Sequence, residues 1–456
     1  MKIKRKIAIL LVGLFLWGCD GMNLMGTRPD FKTPQSLMDA DMQSDVQTQT
    51  AVLLPLSGQH KALGEDLRNA AMMAGFERQN SRMNLLFFDT KGTPEGAREA
   101  YLKAKEQDPG LVLGPVFAPE VAAIVHMDPS VPVISFTSDH SVLSKGVYSM
   151  ALLIPEQVSR IVQFACDTGK LRLGVLGPEN KTGELVMNSL SGAIKACPGM
   201  QMTKISLYNP KTTNFDPVLM KIIPKPIDPK KEDLTEEEQI LLATPMADRL
   251  EFDALFIFEE GVKLRQVVSL LSYYDVTPAI VPFYGLSNWQ RVNDRGLRDA
   301  YFPAMPMDPY KSFEQKYEET FSKKPVEMAA FAYDGVALAS FLAAHRAMNN
   351  ATVTIPVGYY GANGRFRFNA DGTNERLLGI YQIKSRQPLL VDSVSRDFPA
   401  EKSAAEQFSM KAWESERTQI KQRELEEEAL RQSMQQLEAL VITTAPQTPV
   451  VSIAEQ

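Results

Sequence analysis

Four histidines, His60, His126, His140 and His345, are scattered without the spacing that holds a metal ion. The chain has neither a Cys-x-x-Cys pair nor a His-Glu-x-x-His helix, so no metal is expected. His140 stands between Asp139 and Ser141, which is the composition of a hydrolytic relay. Neighbours on one loop seldom face one another as such a relay requires, and no nucleophile is assigned there. No Gly-x-Ser-x-Gly elbow occurs. The segment Gly177-Pro-Glu-Asn-Lys-Thr-Gly183 echoes a phosphate loop, but Glu184 stands where a lysine must neutralise phosphate. With no catalytic constellation and no cofactor motif, the chain reads as a binding protein and not an enzyme.

Binding is better served. Ser57 and Gly58, with Gly64 behind them, separate an apolar run from a helical stretch. Backbone amides at such a helix start can meet a polar or anionic group, and a tight turn that needs glycine explains the same residues equally well. The stretch VISFTSDHSV, residues 133–142, opens as a β-branched strand and breaks into hydroxyls and a carboxylate. That is how a buried strand looks when it ends at a cleft. It offers Ser135, Thr137, Ser138 and Asp139 as ligand contacts. Thr182 and the acidic pair Glu259 and Glu260 follow later strands and complete the candidate set.

These residues need a scaffold that gathers strand ends. AVLLPL, NLLFFD, LVLGPV, VPVISF, LRLGVLGP and ALFIFEE are short, nearly continuous apolar runs, separated by helical stretches over residues 65–79, 94–107, 157–166 and 184–196. Fully apolar strands alternating with helices predict parallel sheets covered on both faces. The first four runs fit one α/β unit and the later ones a second, so two lobes are expected. Ligands in open sheets of this kind sit beyond the carboxyl ends of the strands. The cleft loops are then 55–63, 89–93, 114–119, 135–141, 177–183 and 259–261.

Residues 215–249 interrupt the rhythm with prolines and clustered charge, and read as a surface insertion with a short helix over 235–243. Asp371-Gly372 lies between alternating segments and predicts a hairpin. Residues 399–440 are rich in helix formers and carry no sustained heptad, which predicts a charged helix, and residues 441–456 read as a disordered tail.

At the other end, Lys2, Lys4, Arg5 and Lys6 precede an apolar run over residues 7–17, the form of a secretory signal too short to span a bilayer. It ends in Leu16-Trp17-Gly18-Cys19, which is similar to the bacterial lipoprotein signal motif. This predicts residues 1–18 as signal peptide and Cys19 as the lipidated N-terminus; an ordinary signal with an incidental cysteine is the alternative. Asp20 resembles the inner-membrane retention signal of enteric bacteria, a rule that is not general, so inner and outer membrane both stay open. Residues 19–50 read as a flexible tether. Cys166 and Cys197 either pair in the oxidising compartment or remain as two buried thiols. A net charge of −6 without a long basic patch argues against a nucleic-acid partner.

Ala51-Val-Leu-Leu-Pro-Leu-Ser-Gly58, Gly114-Pro115, Val131-Pro-Val-Ile-Ser135 and Tyr333-Asp-Gly-Val-Ala337 resemble the type I periplasmic binding proteins of the leucine-binding kind. Gly361-Ala-Asn-Gly-Arg-Phe-Arg-Phe368, with Asp371-Gly372 and Arg376, resembles the branch of penicillin-binding protein activators, lipoproteins of the Lpo type. The resemblance covers about residues 51–399. It implies a two-lobed α/β fold, with lobe 1 over 51–152 and 283–350 and lobe 2 over 153–282 and 351–398, followed by the C-terminal helical extension. It further implies a lipid-anchored periplasmic protein that activates a penicillin-binding peptidoglycan synthase without being an enzyme. The insertion and the C-terminal helix are then the candidate contacts. The alternative is the substrate-binding lipoprotein of an ABC transporter for amino acids or related solutes.

The amino-acid clamp of that family can be compared position by position. The loop after Gly114-Pro115, where a hydroxyl is expected, reads Phe117-Ala118-Pro119, and Asp139 falls where a threonine is expected. A carboxylate about 4 Å from a ligand carboxylate is repelled by several kcal/mol at an effective dielectric near 20. Lys181-Thr182-Gly183 lacks the covering tyrosine, while Glu259 and Glu260 remain suited to an ammonium. A cationic or sugar-like ligand, or none, fits these changes better than a free amino acid.

Overall fold

The computed structural model describes residues 47–78, 80, 82–127, 129, 131–393 and 398. The expected signal peptide, Cys19, most of the tether, the charged helix and the tail lie outside the described residues.

The first sheet has the order β2-β1-β3-β4-β5, all parallel, from strands Thr48–Leu54 (β1), Met83–Asp89 (β2), Pro109–Leu113 (β3), Val133–Ser135 (β4) and Val147–Ser149 (β5). Its central strands are buried residue after residue because helices cover both faces. The Ala329–Ala344 helix closes one of those faces against the Lys61–Arg78 helix. It is apolar on nearly all sides, and Asp334 is its one buried charge.

The second sheet joins Arg172–Pro178 (β6), Gln201–Tyr208 (β7), Ala254–Ile257 (β8), Phe283–Tyr284 (β9), Tyr301–Ala304 (β10), Gly379–Gln382 (β14) and Leu389–Asp392 (β15). Its order is β15-β14-β10-β9-β8-β6-β7, parallel from β7 to β10 and antiparallel at β14 and β15. The Cys166–Cys197 disulfide ties the end of the Ile154–Asp167 helix to the chain after the next helix, with Cα atoms 6.0 Å apart. A small antiparallel sheet, Tyr359–Gly361 (β11), Gly364–Phe368 (β12) and Asn374–Arg376 (β13), completes the fold, with Asp371-Gly372 in the β12–β13 connection.

Two expected lobe boundaries are corrected. Residues 283–304, expected in lobe 1, belong to lobe 2: β9 and β10 extend the second sheet, and Phe283 and Phe302 lie in its core. Residues 351–376, expected in lobe 2, belong to lobe 1: Tyr359, Phe366 and Phe368 pack with Phe136 and Tyr148 in the first-lobe core. The chain therefore crosses after β5, after β10 and after β13. The insertion is corrected as well. Phe215, Val218, Leu219, Ile222 and Ile223 are buried in the second-lobe core, so only the part beyond them is an outer loop. That loop carries the Glu236–Ala243 helix, capped by Thr235 and Glu238 bonding each other's backbone N–H.

Candidate functional site

A cavity of about 440 Å³ lies where the two sheets meet. Val116, Phe117, Phe136, Thr137 and Ser138 line it from the first-sheet loops; Ser287, Asn288 and Gln290 do so from the short helix after β9. Ala151, Leu152, Met305 and Pro306 on two crossing segments form part of its wall, and Ala118, Ala304, Met307, Tyr310, Glu327, Met328, Phe331 and Asn363 complete it.

The β3 end is shaped by Gly114, whose φ of +88° and distance to Leu53 leave no room for a side chain: a Cβ would stand 2.2 Å from the Leu53 carbonyl oxygen. After the turn, the Val116 and Phe117 N–H groups donate to Glu120 Oε2 at 3.2 and 2.9 Å. Glu120 is fully buried, and burial pushes its carboxyl up, against the pull of these hydrogen bonds. The loop after β1 has the same arrangement. Asp89 Oδ1 accepts the N–H groups of Leu56, Ser57 and Lys91, and Asp89 Oδ2 accepts the Ser57 hydroxyl at 2.5 Å. Burial works to raise the Asp89 carboxyl, and the Ser57 hydroxyl with these amides outweighs it, leaving it below the usual range. In both loops the chain's own carboxylate takes amides that a ligand anion would otherwise use.

Of the residues chosen from sequence, Thr137 and Ser138 line the cavity. Ser135 does not: it is fully buried in β4 and donates to the Tyr148 carbonyl at 2.9 Å. Ser57 and Gly58 stand apart, bound up in the Asp89 turn. Asp139 turns away, and its Oδ1 accepts the Ser141 N–H and hydroxyl at 2.9 and 2.6 Å. The Ser141 hydroxyl first, then its amide with His140 and Lys181, holds that carboxyl low against burial. Thr182 is exposed on the Lys181–Ala193 helix, where Asn180 makes the cap. Glu259 accepts the Tyr208 hydroxyl, while Glu260 Oε2 accepts Asn288 Nδ2 at 3.1 Å and so abuts the wall without forming it. Phe117 and Phe136 lie on cleft loops expected from sequence, whereas Met305, Met307, Tyr310, Met328 and Phe331 were missed, because they come from a crossing and from helices that follow no strand-end pattern. Among the described residues no group of His, Cys, Asp or Glu could hold a metal ion.

Buried polar groups hold the β11–β12 turn against the Ala329–Ala344 helix and tie two of the crossings together. Asp334 accepts the N–H groups of Ala362 and Asn363 and the Asn363 side-chain amide. Asn374 Nδ2 donates to the Ser149 and Ala151 carbonyls, both at 2.7 Å. Arg376 donates to the Met150 carbonyl and lies over the Phe331 and Phe366 rings at 5.2 and 5.0 Å. This arrangement gives two α/β lobes around a cavity with apolar walls.

A family model described as periplasmic binding protein matches residues 48–388. The chain belongs to that family. Its members are binding proteins, and the description places them in the periplasm. Among solved structures, the periplasmic binding protein fold here is similar to a putative branched-chain amino acid ABC transporter from Rhodospirillum rubrum, at 15% identity and a TM-score of 0.60, over 76% of this chain and 100% of that one. An ABC transporter substrate-binding protein from Sphaerobacter thermophilus aligns at 16% identity and 0.54, over 77% and 98%. A solute-binding protein from Rhodopseudomonas palustris BisB5, solved with 3,4-dihydroxybenzoic acid, aligns at 13% and 0.52, over 79% and 99%. No curated protein sequence matches the chain. At these identities the likeness is one of fold. Among the described residues no helix is long and apolar enough to cross a membrane.

Proposed function

We propose that this periplasmic binding protein captures a small solute between its lobes and serves as the substrate-binding component of a transporter. The cavity lined from both sheets and two crossings is the observation that carries this reading. Such pockets, mostly apolar with a few polar groups, are the usual form of a small-molecule site. The test is thermal melting of the full chain against amino acids, amines and peptidoglycan fragments. A ligand at a hundred times its Kd stabilises the folded state by about 2.7 kcal/mol. No shift across the panel, with no solute released from freshly purified protein, would remove the reading.

Activation of a peptidoglycan synthase is a second reading, favoured by the exposed Glu236–Ala243 helix, on which Ile240 is 61% exposed. The Gly364-Arg-Phe-Arg-Phe368 stretch adds little to it, since Phe366 and Phe368 are explained by core packing. Pull-down of envelope proteins with the chain, and glycan synthesis with and without it, decides the matter. Anchoring through Cys19 belongs to either reading, and mass spectrometry of the mature N-terminus tests it.

A further inference from the structure

The solute cavity has a one-sided chemistry. None of its described lining residues is lysine, arginine or histidine, and Glu327 is the charged one among them. Phe117, Phe136, Tyr310 and Phe331 supply aromatic surfaces. Just behind the wall, Glu260 holds Asn288 in place. The amides of Val116 and Phe117, which belong to lining residues, are taken by Glu120.

Resting on the solute-binding reading, we infer that the ligand of this cavity is an apolar amine carried as a cation, and that carboxylates are rejected. Aromatic faces attract an ammonium through their quadrupole, most strongly where water is excluded. A carboxylate entering the same space loses its hydration with no positive side chain in the lining to replace it, and the one cation at the edge, Arg291, is already paired with Glu327. Nor are the Val116 and Phe117 amides open to it, because the buried Glu120 carboxylate already satisfies them. An amine instead meets Glu327, for which it competes with Arg291, paired with Oε1 at 2.5 Å from outside the lining.

Three probes that share a benzyl or phenyl body and differ in head group separate these terms: benzylamine, benzyl alcohol and benzoate. Calorimetric titration of the full chain is expected to rank them in that order, with benzylamine at least about tenfold tighter than benzoate, since like-charge placement disfavours the wrong partner. Glu327→Gln, at a half-exposed position that puts folding at little risk, should reduce the advantage of benzylamine over benzyl alcohol. Benzoate binding as tightly as benzylamine, or an unchanged advantage in the variant, overturns the inference and leaves solute binding standing. Absence of binding by all three probes and by the wider panel removes both.

Discussion

Arg291 Nη2 lies 2.5 Å from Glu327 Oε1, joining the helix after β9 in the second lobe to the cavity edge of the first. Both side chains are more than half exposed, so the pair is screened and contributes little to global stability. Arg291→Ala should change unfolding free energy by less than about 1 kcal/mol. Its effect should appear in the lobes' relative motion, where a pair of that strength shifts the closed-to-open ratio by up to roughly fivefold. Interlobe distances from paired spin labels measure this, and identical distributions with and without the arginine would show that the pair does not hold the lobes.

The Cys166–Cys197 disulfide closes a loop across a sequence separation of 31 residues that contains β6. In the chain-entropy account a loop of this length constrains the unfolded state by about 3–4 kcal/mol. The double Cys→Ser variant should lose stability of that order in denaturant titration, and reductant should have no further effect on it. Equal midpoints for oxidised and reduced protein would contradict this.

Gly361 faces Asp334 so closely that a Cβ there would stand 2.4 Å from Asp334 Oδ1. Gly361→Ala therefore has to displace the carboxylate that grips Ala362 and Asn363. A loss of about 1–3 kcal/mol is expected from the overpacking alone, and more if the hydrogen bonds break. The melting temperature checks it, and a neutral outcome would mean that β11 shifts without cost.

The alternation of apolar runs and helices made the two-lobed α/β architecture legible, because strands covered on both faces leave a continuous hydrophobic signature, as in β1, β3, β6 and β8. The strands that escaped have physical reasons to do so. β7 is an edge strand that is exposed or half-buried over most of its length, β5 and β9 are too short to show a pattern, and β10 contains Pro303. The lobe boundaries failed at β9 and β10 for the same reason. At the site, Thr137 and Ser138 could be read from the end of β4. Phe331 and Met305 could not, since an aromatic on the buried Ala329–Ala344 helix or a methionine on a crossing looks like core. Nor does a sequence announce that Asp89 and Glu120 fold back onto the loops that seemed free to hold an anion.

Asp334 is fully buried, and desolvation raises its carboxyl to about 6 despite three N–H donors and the nearby Arg376 charge. Unfolded, the same group titrates near the ordinary carboxyl value of 3.8. The folded state thus holds its proton more tightly, and between these values it binds more protons than the unfolded state. The stability contributed is fully present below about pH 4 and is lost as pH rises through about 6, by an amount of order 3 kcal/mol. Asp334→Asn removes the titration and adds a constant cost, because one amide oxygen must serve three donors. Denaturant titrations from pH 4 to 7 should therefore show the wild-type advantage over this variant shrinking up to about pH 6 and then levelling. An advantage that grows over that range would mean that the amides and Arg376 outweigh burial and hold the carboxylate low.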